Sequence, residues 1–149
     1  QMPLTILAVH SAHLTPVQAL AGAAGYGYFV ADYVPPLTDL AVPGMAKFMG
    51  LAQKHLSADE LKMLNRYSIT AYVGALLMED AIRRCGKALT RACVVEKLET
   101  TKNFGTDGLA SPISFSPTVR HSPSSVLVLK SDAKASKFDR ASEPLPIVD

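Results

Sequence analysis

The chain has 149 residues, of which 48% are hydrophobic and 19% charged, with a net charge of +2 at pH 7. That is the composition of a globular domain and excludes a disordered one. The charge is too small and the Lys and Arg too dispersed for a nucleic-acid surface, and no apolar run reaches the roughly 18–20 residues of a membrane span.

From the N-terminus, the run LTILAV over 4–9 lacks the charged leader and cleavage site of a signal peptide. It reads as a short strand buried on both faces. The loop His10-Ser11-Ala12-His13 follows. A helix starts with Thr15 as cap and Pro16 at the first helical position, and Gly25 ends it. Residues 26–34 form the next strand, rich in aromatic and β-branched side chains and stopped by Pro35-Pro36. An amphipathic helix over 45–55 turns Met45, Phe48, Met49 and Ala52 inward and Lys47 and Lys54 outward. Ser57 and Glu60 make a capping box for a short helix over 58–64.

The long helix over 65–86 organises the chain. Ile69, Tyr72, Val73, Leu76, Leu77 and Ala81 recur at helical spacing. Glu79 pairs with Arg83 and Asp80 with Arg84 on its solvated face, and Gly86 is placed for a left-handed cap. A further helix over 90–101, capped by Thr90, turns Val94, Val95 and Leu98 inward. Beyond Phe104, glycines and prolines break up helix. Residues 113–115 form a short strand, 126–130 a clear one, and a partner strand starts at Lys137.

Alternating β and α elements predict a parallel sheet flanked by helices, with short C-terminal strands. The first half holds only two good strands, too few for a stable sheet, so the chain reads as part of a larger α/β architecture. Its two cysteines, Cys85 and Cys93, fit no zinc signature. One ends the long helix and the other lies in the first turn of the next, within reach of a disulfide; two buried free thiols are the alternative.

His10, Ser11 and His13 follow the carboxyl end of the first strand, where open α/β sheets bind ligands. A polar loop capping the next helix is the competing reading, and catalysis by Ser and His lacks a nucleophile elbow. No dinucleotide or phosphate-loop motif occurs. Tyr26, Tyr28, Phe29 and Tyr33 read as core in the absence of a basic groove, and His55 and His121 stand alone on the surface. Composition and spacing thus give an α/β piece that binds something small, with no catalytic residue, metal or cofactor.

The series GYGYFVADYVPP, MAKFMGLAQKHL, RYSITAYVGALLMEDAIRRCGKALTRACVVEKLE and ISFSPTVRHSPSSVLVLK resembles the C-terminal part of type I periplasmic solute-binding proteins, in the branched-chain amino acid-binding branch of ABC importers. The resemblance rests on the proline-stopped strand, on Ala81-Ile82 running to Gly86, on the helix start Thr90-Arg91, and on Ile113-Ser114-Phe115 before the final strands. It implies two α/β lobes joined by three crossovers, with a ligand clamped between them by hinge closure. Residues 1–104 would be the second-lobe α/β segment and 105–149 the crossover and closing strands, with hinge crossovers near 26–34 and 113–115. By the same resemblance the first lobe and the first part of the second are missing, and with them most of the contacts to an amino acid's carboxylate and ammonium. The loop His10, Ser11, Ala12 matches one that faces the cleft, and Tyr67 is placed to approach it.

The resemblance further implies a periplasmic protein that captures a small amino acid or a related organic or aromatic acid and presents it to a membrane permease, without catalysis. A ligand-sensing regulatory domain of the same fold, or a non-binding remnant acting as an interaction module, are the alternatives. Apolar faces shaped for missing neighbours are expected to drive homodimerisation or domain swapping.

Overall fold

Strand alternation and helix periodicity build a mixed sheet covered by helices. The computed structural model describes residues 5–132 and 134–147; among these, five strands and five α-helices occur. β1 (Leu7–Val9) and β2 (Phe29–Asp32) run parallel, Leu7 opposite Phe29 and Val9 opposite Ala31. Leu4, the expected start of the first strand, lies outside the described residues. β3 (Ser125–Asp132) pairs antiparallel with β2, placing Asp32 opposite Leu127. β4 (Lys137–Arg140) pairs antiparallel on the far side of β3, and β5 (Leu145–Pro146) joins the start of β3.

The expected parallel arrangement therefore holds for the first pair, and the C-terminal strands make the sheet mixed. A short turn between β3 and β4 joins antiparallel neighbours only. Among the described residues β1 has no neighbour on its outer side, and Leu7 and Val9 are 66% and 65% exposed.

Three expected strands are shorter than their sequence patterns, the first of them pairing only over Leu7–Val9. Gly27 adopts a φ of 81°, so the aromatic segment becomes extended pairing backbone only at Phe29. Ile113 makes a single bridge with Phe104 rather than a ladder; Pro112 and Pro117 lack the N–H groups that would lengthen it.

The helices follow their signals closely. α1 (Thr15–Ala21) begins at Thr15 itself, with Leu14 in the cap position, and passes into a 3-10 turn over Gly22–Gly25. α2 (Pro43–His55) starts two residues earlier than its apolar pattern because Pro43 suits the first turn. Gly44 lies where α2 meets the loop at 106–109: a Cβ there would come 2.6 Å from the Thr106 carbonyl oxygen. α3 (Ala58–Met63) carries the capping box of Ser57 and Glu60, whose hydrogen bonds with Ser57 hold the Glu60 carboxyl below its usual range.

α4 (Arg66–Cys85) is capped by Asn65, whose side chain accepts from the Tyr67 N–H. Both i,i+4 pairs form, Arg83 with Glu79 at 2.7 Å and Arg84 with Asp80 at 2.8 Å. At its end Gly86 takes φ 53° but ψ −129°, a conformation open to glycine that is not the left-handed helical cap expected.

α5 (Arg91–Glu99) is capped by Thr90, which accepts from the Cys93 N–H at 3.1 Å. Cys85 and Cys93 form a disulfide with a Cα separation of 6.0 Å, so they are not two free thiols. Val95, expected inward, is 44% exposed, since the disulfide and the packing on α4 turn a different side of this short helix inward. Among the described residues no helix is long and apolar enough to cross a membrane.

Two apolar clusters hold these elements. Val34, Met45, Phe48, Ile69, Val73 and Leu109 join α2 and α4 to the loops. Tyr28, Val30, Leu127, Leu129 and Phe138 form the second on one face of the sheet. Each fully buried large side chain contributes about 1.5–3 kcal/mol.

Candidate ligand-binding site

The carboxyl ends of the parallel pair set the site. Directly after β1, residues His10–Ala12 make a 3-10 turn that leaves His10 and Ser11 exposed. Ala12 turns inward, where its carbonyl accepts from the Tyr28 hydroxyl at 2.9 Å. Directly after β2 comes Tyr33, its ring 5.9 Å from that of His10. The Arg66 guanidinium lies 4.9 Å from the Tyr33 ring centroid and 4.8 Å from that of Tyr67, which is cation–π distance. His10 and Tyr67, far apart in the chain, thus belong to one row: His10, Tyr33, Arg66, Tyr67.

Beneath the row lies a buried charge cluster. Strand alternation puts Asp32 on the same covered face as Val30, and both are essentially inaccessible. Helix periodicity does the same for Arg66, one turn before Ile69 on the buried stripe of α4. Arg66 donates to Asp32 from Nε at 2.7 Å and from Nη2 at 2.9 Å, a two-pronged pair. His13 approaches from the loop, Nδ1 to Oδ2 at 2.7 Å. The N–H groups of Tyr33 and Val34 donate to Oδ1 at 2.7 and 3.4 Å, which fixes the turn carrying the Tyr33 ring.

Burial by itself would raise the Asp32 pKa, but the hydrogen bonds from His13 and Arg66 outweigh it and hold the carboxyl below its ordinary value of 3.8. Asp32 is therefore ionised, and the His13 Nδ1 carries the donated proton. Burial likewise opposes the charge on Arg66, and the Asp32 carboxylate overrides it, leaving the arginine still more firmly protonated. An isolated charge at either position would be strongly disfavoured; together the two satisfy each other.

Tyr33 also walls a groove of about 420 Å³ whose lining includes Val42, Pro43, Ser111, Leu127 and Arg140, within the roughly 300–1,000 Å³ of small-molecule sites. Among the described residues no cluster of three or more His, Cys, Asp or Glu is placed to hold a metal ion. Asp32, Arg66 and Tyr33 are the residues that reading the sequence for ligand contacts misses. Their signal is a charge in apolar register, Asp32 inside a strand and Arg66 at the foot of an apolar helix stripe.

The fold is that of an α/β lobe of the periplasmic binding protein type. The family described as periplasmic binding protein matches residues 3–136, and the chain belongs to it; this is a family of binding proteins, not of enzymes. No curated protein sequence matches the chain. Among solved structures it is similar to a branched-chain amino acid ABC transporter protein from Thermus thermophilus with bound valine, at 18% identity and a TM-score of 0.79, covering 98% of this chain and 40% of that one. It is also similar to a leucine-binding protein from Thermotoga maritima, at 20% identity and TM-score 0.69, over 95% and 37% of the two chains. A third is a fatty acid ABC transporter substrate-binding protein from Thermomonospora curvata, at 21% and 0.69, over 98% and 38%. The chain therefore spans about 40% of the length of these proteins, and the fold it shares is a partial one.

Proposed function

We propose that this chain is the C-terminal portion of the substrate-binding component of an ABC importer, working in the periplasm and delivering its ligand to a membrane permease. Residues 1–104 supply the second-lobe segment, and 105–149 the crossover and closing strands. The ligand is a small amino acid or a related organic or aromatic acid, taken up by lobe closure. His10, Ser11 and Tyr67 contact it, with Tyr33 completing the wall, while Ala12, expected as a contact, turns inward and holds the turn through its bond from the Tyr28 hydroxyl.

The observation that carries this reading is the row His10, Tyr33, Arg66, Tyr67 at the carboxyl edge of β1 and β2, where α/β sheets bind ligands. Similar structures carry valine, bind leucine by name or serve fatty acids, which favours ligands that join a carboxylate to an apolar part. A disulfide between α4 and α5 suits an oxidising compartment.

Thermal unfolding of the chain with L-valine, L-leucine, octanoate and benzoate tests the reading. At about ten times its Kd, a ligand stabilises by about 1.4 kcal/mol, a shift of about 3–6 °C for a chain of this size. Tyr67→Ala is expected to abolish that shift. No shift with any of the four, or a shift that survives Tyr67→Ala, counts against it.

A further inference from the structure

Arg66 also borders a second recess, which His10, Tyr33 and Tyr67 do not line. A cleft of about 60 Å³ lies between the start of α4, the loop after β2, the start of α1 and the start of β4. Its polar side chains include His13, Thr15, Thr38, Asn65, Arg66 and Lys137, and among the described residues no carboxylate lines it. The amino end of α4, a helix of 20 residues, adds the positive end of a helix dipole at the same place.

The second observation concerns Arg66 itself. Asp32 takes Nε and Nη2, but Nη1 is buried with no hydrogen-bond partner among the described residues, and the residue is 2% exposed. A buried donor of a charged group left without an acceptor is costly, and such groups in folded proteins call for a partner. Apolar walls from Leu64, Ile69 and Phe138 strengthen the attraction for an anion by excluding water. Lys137 Nζ, now 2.8 Å from Asp139, sits on a flexible and partly exposed side chain able to turn inward.

We infer that this cleft is a site for a small oxyanion, a carboxylate group or inorganic phosphate, held by Arg66, Lys137 and the hydroxyls of Thr15 and Thr38. Its volume is far below the roughly 300 Å³ at which small-molecule sites begin, so it takes a charged group and not a whole amino acid. The site shares Arg66 with the aromatic row, but neither His10 nor Tyr67 lines it and Lys137 belongs to it alone, so the Lys137 variant separates this proposal from the transport reading.

The test is titration of inorganic phosphate and, separately, sodium acetate into the chain at constant ionic strength balanced with NaCl, read by thermal unfolding and calorimetry. Saturable stabilisation by one of the two is expected, and the stronger arm identifies the oxyanion. Lys137→Ala is expected to weaken it about tenfold, the loss of one charge-assisted hydrogen bond, and Arg66→Lys at least as much. Lys137 is a surface residue, so its variant decides the matter even if the Arg66 variant fails to fold. Stabilisation that merely follows ionic strength, or a phosphate or acetate affinity unchanged by Lys137→Ala, overturns the proposal.

Discussion

Asp32 accepts from five N–H donors in a space closed to water. Removing one partner of a buried ion pair leaves the other charge uncompensated, at a cost of about 3–5 kcal/mol. Asp32→Ala is expected to lose that much in urea unfolding at pH 7; a loss below 1 kcal/mol would mean that the cluster does not hold the site together. The pH dependence has a definite sign. The folded carboxyl titrates below its ordinary 3.8, so the unfolded chain binds more protons there. Stability from Asp32 is complete above that value and is lost as the pH falls through the folded pKa. The wild-type chain should lose stability between pH 4 and pH 3 more steeply than Asp32→Asn, measured by urea midpoints at each pH.

Reading the sequence names His10, Ser11, Ala12 and Tyr67 as candidates because loops after strands and helix starts are marked by local residue types. It does not reach the pairing that brings them together. That depends on a contact 34 residues apart between two charges, Asp32 and Arg66, each individually improbable in an apolar register.

At the scale of elements, the helices were legible almost to the residue. Caps and helix-start residues such as Pro43, Ser57, Asn65 and Thr90 act locally, and all five helices begin within two residues of their expected starts. Strand limits were less legible, since pairing is non-local. Gly27 and the prolines around Ile113 shorten two segments whose side-chain patterns alone read as strand. The disulfide links the end of α4 to the first turn of α5 across a separation of eight residues. Closing so short a loop constrains the unfolded chain by about 2.5 kcal/mol. Replacing both cysteines by serine is expected to lower urea stability by that amount while leaving the His10 to Tyr67 row unchanged, as judged by ligand-induced thermal shifts.

As a whole molecule, the chain carries the marks of a part. Among the described residues β1 has no neighbour on its outer edge, and Leu7, Val9 and Leu20 are 66%, 65% and 90% exposed. Unpaired strand edges and exposed apolar side chains recruit partners, and on that ground we propose that the isolated chain forms a homodimer or exchanges elements. Light scattering across a concentration series is expected to show mass rising from that of one chain towards two. A constant monomer mass up to the millimolar range would refute it.

The central claim is that the aromatic row at the carboxyl edge of β1 and β2 is the ligand-facing wall. Amide NMR spectra of the chain recorded during titration with L-leucine and octanoate test it most directly, because they register weak binding residue by residue. Saturable shifts confined to His10, Ser11, Tyr33, Tyr67 and their immediate neighbours are the predicted result. Shifts clustered elsewhere on the molecule, with this row unmoved at saturating ligand, would contradict it.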